Sequence, residues 1–251
     1  MDIAQAATKD VAITIAAAQS TSVPLEVAAN VQEHLRFVEA AADHGVQWLV
    51  FPELSLTGYE LAAMPKLVLH GDHALLAPLR EAARRTGMAI TVGAPVDSGG
   101  ALPSLGAITL RPDGQHGVYR KFHLHGSEVT FATPGAQAVH LQTLGPTHIA
   151  SAICADTNHP SHPASAAQAG ARVYAAGILT SENGYAAEAP LWSSYAREHH
   201  MVVLIANHGG SSGGYVSAGK SGIWDAGGRC IAAASGAGDW LVIASPSATN
   251  T

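Results

Sequence analysis

Cysteine is scarce: the 251 residues include two, Cys154 and Cys230, and neither sits in a C-x-x-C pair. Two isolated thiols of this kind do not make a disulfide framework, so a reducing cytoplasm is the expected setting. Charge is equally sparse, at 13% of residues, with a formal net charge of −6. No basic cluster exceeds Arg84-Arg85 or Arg120-Lys121, which argues against nucleic acid and anionic membrane as partners. Aromatic residues make up 6%, too few for a stacking platform under a single strand. No apolar run is long enough to span a bilayer. Asp2, Lys9 and Asp10 surround a short apolar patch at the start, without the basic region and small-residue cleavage pattern of a secretory signal. A soluble, cytoplasmic protein is expected.

What the chain has in quantity is apolar residues, at 47%, with abundant alanine and 26 glycines. A chain of this length can bury a substantial core, and small residues suit closely packed layers. Apolar runs predict strands at Val11–Gln19, Gln47–Phe51, Met88–Val96, Ala107–Leu110, Gly117–Phe122, Ala138–Leu141 and His148–Ile153. Further strands are expected at Arg172–Ala176, Met201–Ala206, Gly222–Trp224, Cys230–Ala234 and Trp240–Ala244. Helices are expected over Leu25–His44, Ala74–Thr86, Ser161–Ala169 and Ala187–His199. In the first of these, Val31, Leu35, Val38 and Ala42 recur at helical spacing. Helices mixed with strands and hairpins predict sheets covered by helices, an α/β or α+β arrangement. No repeat or linker breaks the sequence, so residues 1–251 are expected to form a single domain.

Three polar residues close apolar runs. Glu53 ends QWLVFPE, Lys121 ends GVYRK, and Cys154 ends the run that starts at Ile149. A thiol after a strand and before a helix N-terminus meets backbone N–H groups that favour the thiolate. A nearby carboxylate could take its proton as general base, and an ammonium could stabilise an oxyanion. On the residues alone, a small buried thiol and an ordinary Glu53–Lys121 ion pair on a rim stay equally open.

The segments around these residues resemble a known family. FPELSLTGYE (51–60) is similar to the glutamate motif of the nitrilase, or carbon–nitrogen hydrolase, superfamily. YRKFHLHGSE (119–128) resembles its lysine motif and ICADTNHP (153–160) its cysteine motif. Thr133-Pro134-Gly135, Ala206-Asn207 and Gly219-Lys220-Ser221 are minor agreements, and the likeness runs from about Val11 to Ala244. The resemblance implies a four-layer α-β-β-α sandwich that dimerises. It implies hydrolysis of a non-peptide C–N bond, without metal or other cofactor, through a thioester. By motif position Cys154 would be the nucleophile, Glu53 the general base and Lys121 the stabiliser of the intermediate. Glu128 matches a second glutamate that orients the lysine or assists the base, and the Ala155 N–H would be a second oxyanion donor. Tyr59, Asn158, Tyr185 and Trp192 would lie in reach of the pocket. Ala155 departs from the aromatic or acidic residue common at that position. The lack of the tryptophan usual in nitrilases there points to an amidase, most simply of a small amide, while the small side chain leaves substrate size open. A nitrilase, an N-carbamoyl amino acid hydrolase and a non-catalytic member of the fold are the alternatives.

Other residues invite other readings. His123-x-His125, with His159 and His162 beside Cys154, has a spacing some metal sites use, but no acidic ligand set accompanies it, so no metal is expected. His162 could serve Cys154 as a base, though the first turn of the following helix is its simpler place. Asp156 reads as a cap for that helix. Gly209-Gly210-Ser211-Ser212-Gly213 satisfies G-x-S-x-G but lacks the helix that a nucleophile elbow needs, so it reads as a flexible loop bordering the site. Cys230 reads as a core thiol.

Overall fold

The computed structural model describes residues 1–247. The apolar runs form two sheets. The first contains β1 (Asp2–Thr8), β2 (Ile15–Gln19), β3 (Trp48–Val50), β4 (Ala89–Val96), β5 (Ser104–Leu110), β6 (His116–Arg120) and β13 (Trp240–Pro246), in the order β1-β13-β2-β3-β4-β5-β6. The second contains β7 (Leu141–Leu144), β8 (Thr147–Ile153), β9 (Val173–Ile178), β10 (Val202–Asn207), β11 (Gly222–Trp224) and β12 (Cys230–Ala233), in the order β12-β11-β10-β9-β8-β7. Helices α1 (Val27–Asp43) and α2 (Ala77–Thr86) cover the first sheet; α3 (Ser161–Gln168) and α4 (Glu182–His199) cover the second.

Strand periodicity sorts side chains into three apolar interfaces, which makes four layers. Ala16, Ala18 and Leu49 face the helices and meet Val31, Phe37, Val38 and Leu79. Their neighbours Ile15, Ala17, Trp48 and Val50 point the other way, against Ile149, Val173 and Leu204 of the second sheet. The far side of that sheet, with Ala150, Ala152 and Tyr174, packs on Ala166, Trp192 and Tyr195. A strand buried on both faces reads as a continuous apolar run rather than an alternating one, as the sequence does here. Each fully buried Leu or Ile side chain contributes roughly 1.5–3 kcal/mol.

Several boundaries differ from the sequence reading, for local reasons. β1 was absent from it: DIAQAAT is an edge strand with exposed Asp2, Ile3 and Gln5, and it forms by pairing in parallel with β13. β2 begins at Ile15 rather than Val11, and the predicted strand over 138–141 lies instead at Leu141–Leu144. α4 begins at Glu182, five residues early, because Ser181 caps it by accepting from the Gly184 N–H at 3.4 Å. Gly184 in the first turn had masked that start, since glycine disfavours helix interiors. Cys230 is exposed rather than part of the core. Among the described residues, no helix is long and apolar enough to cross a membrane.

Candidate active site

Glu53 follows β3, where the chain leaves the sheet and turns sharply at Leu54, whose φ is +49°. The turn is held between the two sheets by two glycines. A Cβ on Gly93 of β4 would sit 2.3 Å from the Leu54 nitrogen, and one on Gly177 of β9 would sit 2.5 Å from the Phe51 oxygen. Only hydrogen at both positions lets the backbone approach so closely. His208, just after β10, makes a 2.6 Å hydrogen bond between Nε2 and the Glu53 carbonyl. Burial pulls the His208 pKa down to about 4, so the ring is neutral and donates there.

Lys121 follows β6 and is wholly buried. Its Nζ donates to Glu53 Oε1 and to Glu128 Oε1, each at 2.6 Å. Glu128 also accepts from the Tyr59 hydroxyl at 2.7 Å and, through Oε2, from the His125 N–H at 2.7 Å. One ammonium thus lies between two buried carboxylates. Glu53 Oε2 is buried with no hydrogen-bond partner among the described residues. A native protein rarely leaves a buried carboxylate oxygen unpaired, and Glu53 lines the same cavity as Cys154.

Cys154 follows β8 with a φ of +43° and opens a short 3-10 turn, Cys154–Asn158. Left-handed backbone at a non-glycine residue is strained and persists only where its surroundings enforce it. Asp156 does so. Its Oδ2 accepts from the Ile153 N–H at 2.9 Å and the Tyr119 hydroxyl at 2.7 Å, and its Oδ1 from the His123 N–H at 2.8 Å. The same network continues from Tyr119 to His162 at 2.9 Å and from His162 to Tyr174 at 2.8 Å. Asp156 is therefore more than a helix cap: it ties the cysteine turn to the segment after Lys121. His162 belongs to this scaffold, and His123 stacks on His159 with ring centroids 3.8 Å apart. Among the described residues no group of three His, Cys, Asp or Glu side chains is arranged to hold a metal ion.

A cavity of about 200 Å³ joins these parts. Glu53, Tyr59, Cys154, Ala155 and Asn158 line it, as does Tyr215 from the Gly/Ser loop. Tyr185 does not line it: its ring packs against Trp192 at 5.6 Å, beneath the Lys220 ammonium. Trp192 is core. His125, Leu179, Thr180, Ser181 and Glu188 complete the wall; sequence reasoning weighed His125 only as a metal ligand and passed over the other four. The segment after β9 and the first turns of α4 carry no motif. The one available signal was Glu188, an acidic residue one helical turn before the buried Trp192 and hence on the same face.

The electrostatics reverse one expectation. Burial and the Glu53 charge push the Cys154 thiol well above its ordinary range, against the pull of Lys121. The resting sulfur is a thiol, not the thiolate that its place before a helix suggested. Burial also pushes the Glu53 carboxyl up, to about 7, with Lys121 opposing and the Glu128 charge adding to the rise. For Lys121, burial alone would lower the pKa, but the Glu53 and Glu128 carboxylates outweigh it and hold the ammonium charged. The arrangement is a protonated sulfur beside a carboxyl group poised to exchange a proton near neutrality, with a fixed cation behind.

Two sheets packed face to face and covered by helices, with this polar cluster at their strand ends, define a four-layer α-β-β-α sandwich. The family model for carbon-nitrogen hydrolases matches residues 14–245, and the chain belongs to that family. A nitrilase from Pyrococcus abyssi is 30% identical over 169 residues, spanning 65% of this chain and 63% of that protein. The NitN amidase from Nesterenkonia sp. AN1 superposes with a TM-score of 0.84 at 26% identity, over 92% of this chain and 91% of its own. A variant of that amidase in complex with butyramide has a TM-score of 0.85 at 24% identity, over 94% and 91%. Another carries acrylamide joined at its active-site cysteine by Michael addition, with a TM-score of 0.84 at 24% identity over 92% of each chain.

Proposed function

We propose that the chain hydrolyses a small amide to a carboxylic acid and ammonia, with Cys154 as nucleophile. The observation that carries this reading is a buried Glu53 carboxylate with an unpartnered Oε2, on a residue that lines the same cavity as Cys154. Glu53 takes the Sγ proton as sulfur attacks the amide carbonyl carbon, because the thiol is too weakly acidic to ionise alone. Lys121 and the Ala155 N–H, unpaired at the start of a 3-10 turn, stabilise the tetrahedral oxyanion. Glu53 returns the proton to the leaving nitrogen and ammonia departs, leaving a thioester. Glu53 then deprotonates water, which attacks the thioester; the C–S bond breaks, the acid leaves, and Glu53 returns the proton to Sγ. Glu128 acts through Lys121, as a positioning residue.

The amidase whose variants are seen with butyramide and with acrylamide at its cysteine supports an amide over a nitrile. Residues 1–251 form one hydrolase domain in this reading, working as a homodimer in the cytoplasm, where two free thiols persist. The test is ammonia release from a panel of amides, nitriles and N-carbamoyl amino acids, with Cys154→Ala as control. Amide turnover that the substitution abolishes is the expected result. Turnover only of a nitrile or a carbamoyl substrate replaces the reading with that activity. No turnover, together with no thiol labelling at Cys154, marks a non-catalytic member of the fold.

A further inference from the structure

The proposed chemistry uses Glu53, Lys121, Glu128 and Cys154, and leaves one carboxylate in the cavity without a task. Glu188 reaches it from the second turn of α4. Asn158 Nδ2 donates to Glu188 Oε1 at 3.3 Å, and Asn158 itself lines the cavity. Helical spacing puts Glu188 on the face that buries Trp192, which is an unfavourable place for an acid without a partner. Burial raises the Glu188 pKa above its ordinary value, outweighing the hydrogen bonds from Asn158 and Thr180 and the nearby His125 ring, which lower it. Among the described residues, no lysine or arginine lines the cavity. The Lys121 charge is already matched to two glutamates, and Lys220 pairs with Glu182 at 2.6 Å. The cavity therefore has an unmatched carboxylate at the wall that Glu188 and Asn158 form.

Resting on the amidase reading above, we propose that Glu188 is a specificity residue that selects short amides whose acyl chain carries an ammonium group. An ammonium donates up to three hydrogen bonds and would pair with the Glu188 carboxylate where water has been displaced. A substrate carrying a carboxylate, such as an N-carbamoyl amino acid, meets repulsion there instead.

The test compares two amides of equal heavy-atom count, 3-aminopropanamide and butyramide. With the wild-type protein, kcat/KM is expected to favour 3-aminopropanamide by about tenfold or more, the scale of one charge-assisted hydrogen bond. Glu188→Gln should collapse that ratio through KM for the amino compound. Calorimetric titration of Cys154→Ala with each amide reads the same preference without turnover. A wild-type preference for butyramide, or a ratio that Glu188→Gln leaves intact, overturns the selectivity while the amidase reading stands. Absence of both turnover and binding for the two amides removes the amidase reading, and this inference with it.

Discussion

Replacing Glu128 with glutamine changes one charge and almost no volume, and its consequences can be worked through atom by atom. All three hydrogen bonds to Glu128 come from donors: the Lys121 ammonium and Tyr59 hydroxyl on Oε1 and the His125 N–H on Oε2. A glutamine must direct its NH₂ group at one of these donors, so at least one bond is lost and two donors oppose each other. Leaving a buried donor unsatisfied costs about 1–3 kcal/mol, more when it is charged. The second consequence is electrostatic. Glu53 and Glu128 each hold an oxygen 2.6 Å from the same nitrogen, and charges within about 5 Å at an effective dielectric of about 20 interact by roughly 3 kcal/mol. The Glu128 charge raises the Glu53 pKa, so its removal lowers it. Glu53 must be a carboxylate to act as base, so wild-type kcat/KM should rise with pH through about 7. In Glu128→Gln that acid limb moves down by about one to two pH units, and the plateau drops because Lys121 is no longer held from both sides. Ammonia release measured from pH 5 to 9 with saturating and limiting amide reads both effects. An acid limb that stays in place or moves upward refutes the reasoning, whatever happens to the plateau.

Gly177→Ala is expected to destabilise the protein by about 1–3 kcal/mol and depress kcat, because its Cβ would lie 2.5 Å from the Phe51 oxygen and push Glu53 out of place. Gly126→Ala, whose Cβ meets nothing within 4 Å, is the control in thermal unfolding; equal effects from the two would count against the close-approach argument. His34 is buried, bonded to Asn30 O and Ser55 Oγ, and its pKa is pulled down to about 3 by burial. The unfolded chain binds a proton there below its ordinary pKa and the native state does not, so native stability falls as pH drops from about 6.5 toward 3. His34→Gln should make that acid decline shallower by about 1.4 kcal/mol per pH unit, read by denaturant titrations at stepped pH. An unchanged slope would show that His34 takes up its proton without unfolding.

Local pattern in the sequence determined the strands and helices that bury continuous apolar runs, and from them sheets covered by helices; the four-layer order came from the family resemblance. Ile15–Gln19, Trp48–Val50 and Val202–Asn207 are buried along their whole lengths, and such runs announce themselves without any tertiary context. The motifs around Glu53, Lys121 and Cys154 were legible too, because charge is rare in this chain and each closes an apolar run. β1 was not legible, since an edge strand of Asp, Gln and Ala has no periodicity strong enough to stand without its partner. Nor was the protonation of the pocket. A thiol before a helix suggests a thiolate, but desolvation is set by everything packed around the sulfur, and burial among Glu53 and its neighbours reverses the sign. Tyr185 and Glu188 show the same division, three residues apart on one helix. Which of the two faces the cavity depends on where α4 starts and how Trp192 anchors it, and those follow from packing against the second sheet. Chain order named the chemical groups; only the folded layers set their distances, their charges and the acid left over to choose a substrate.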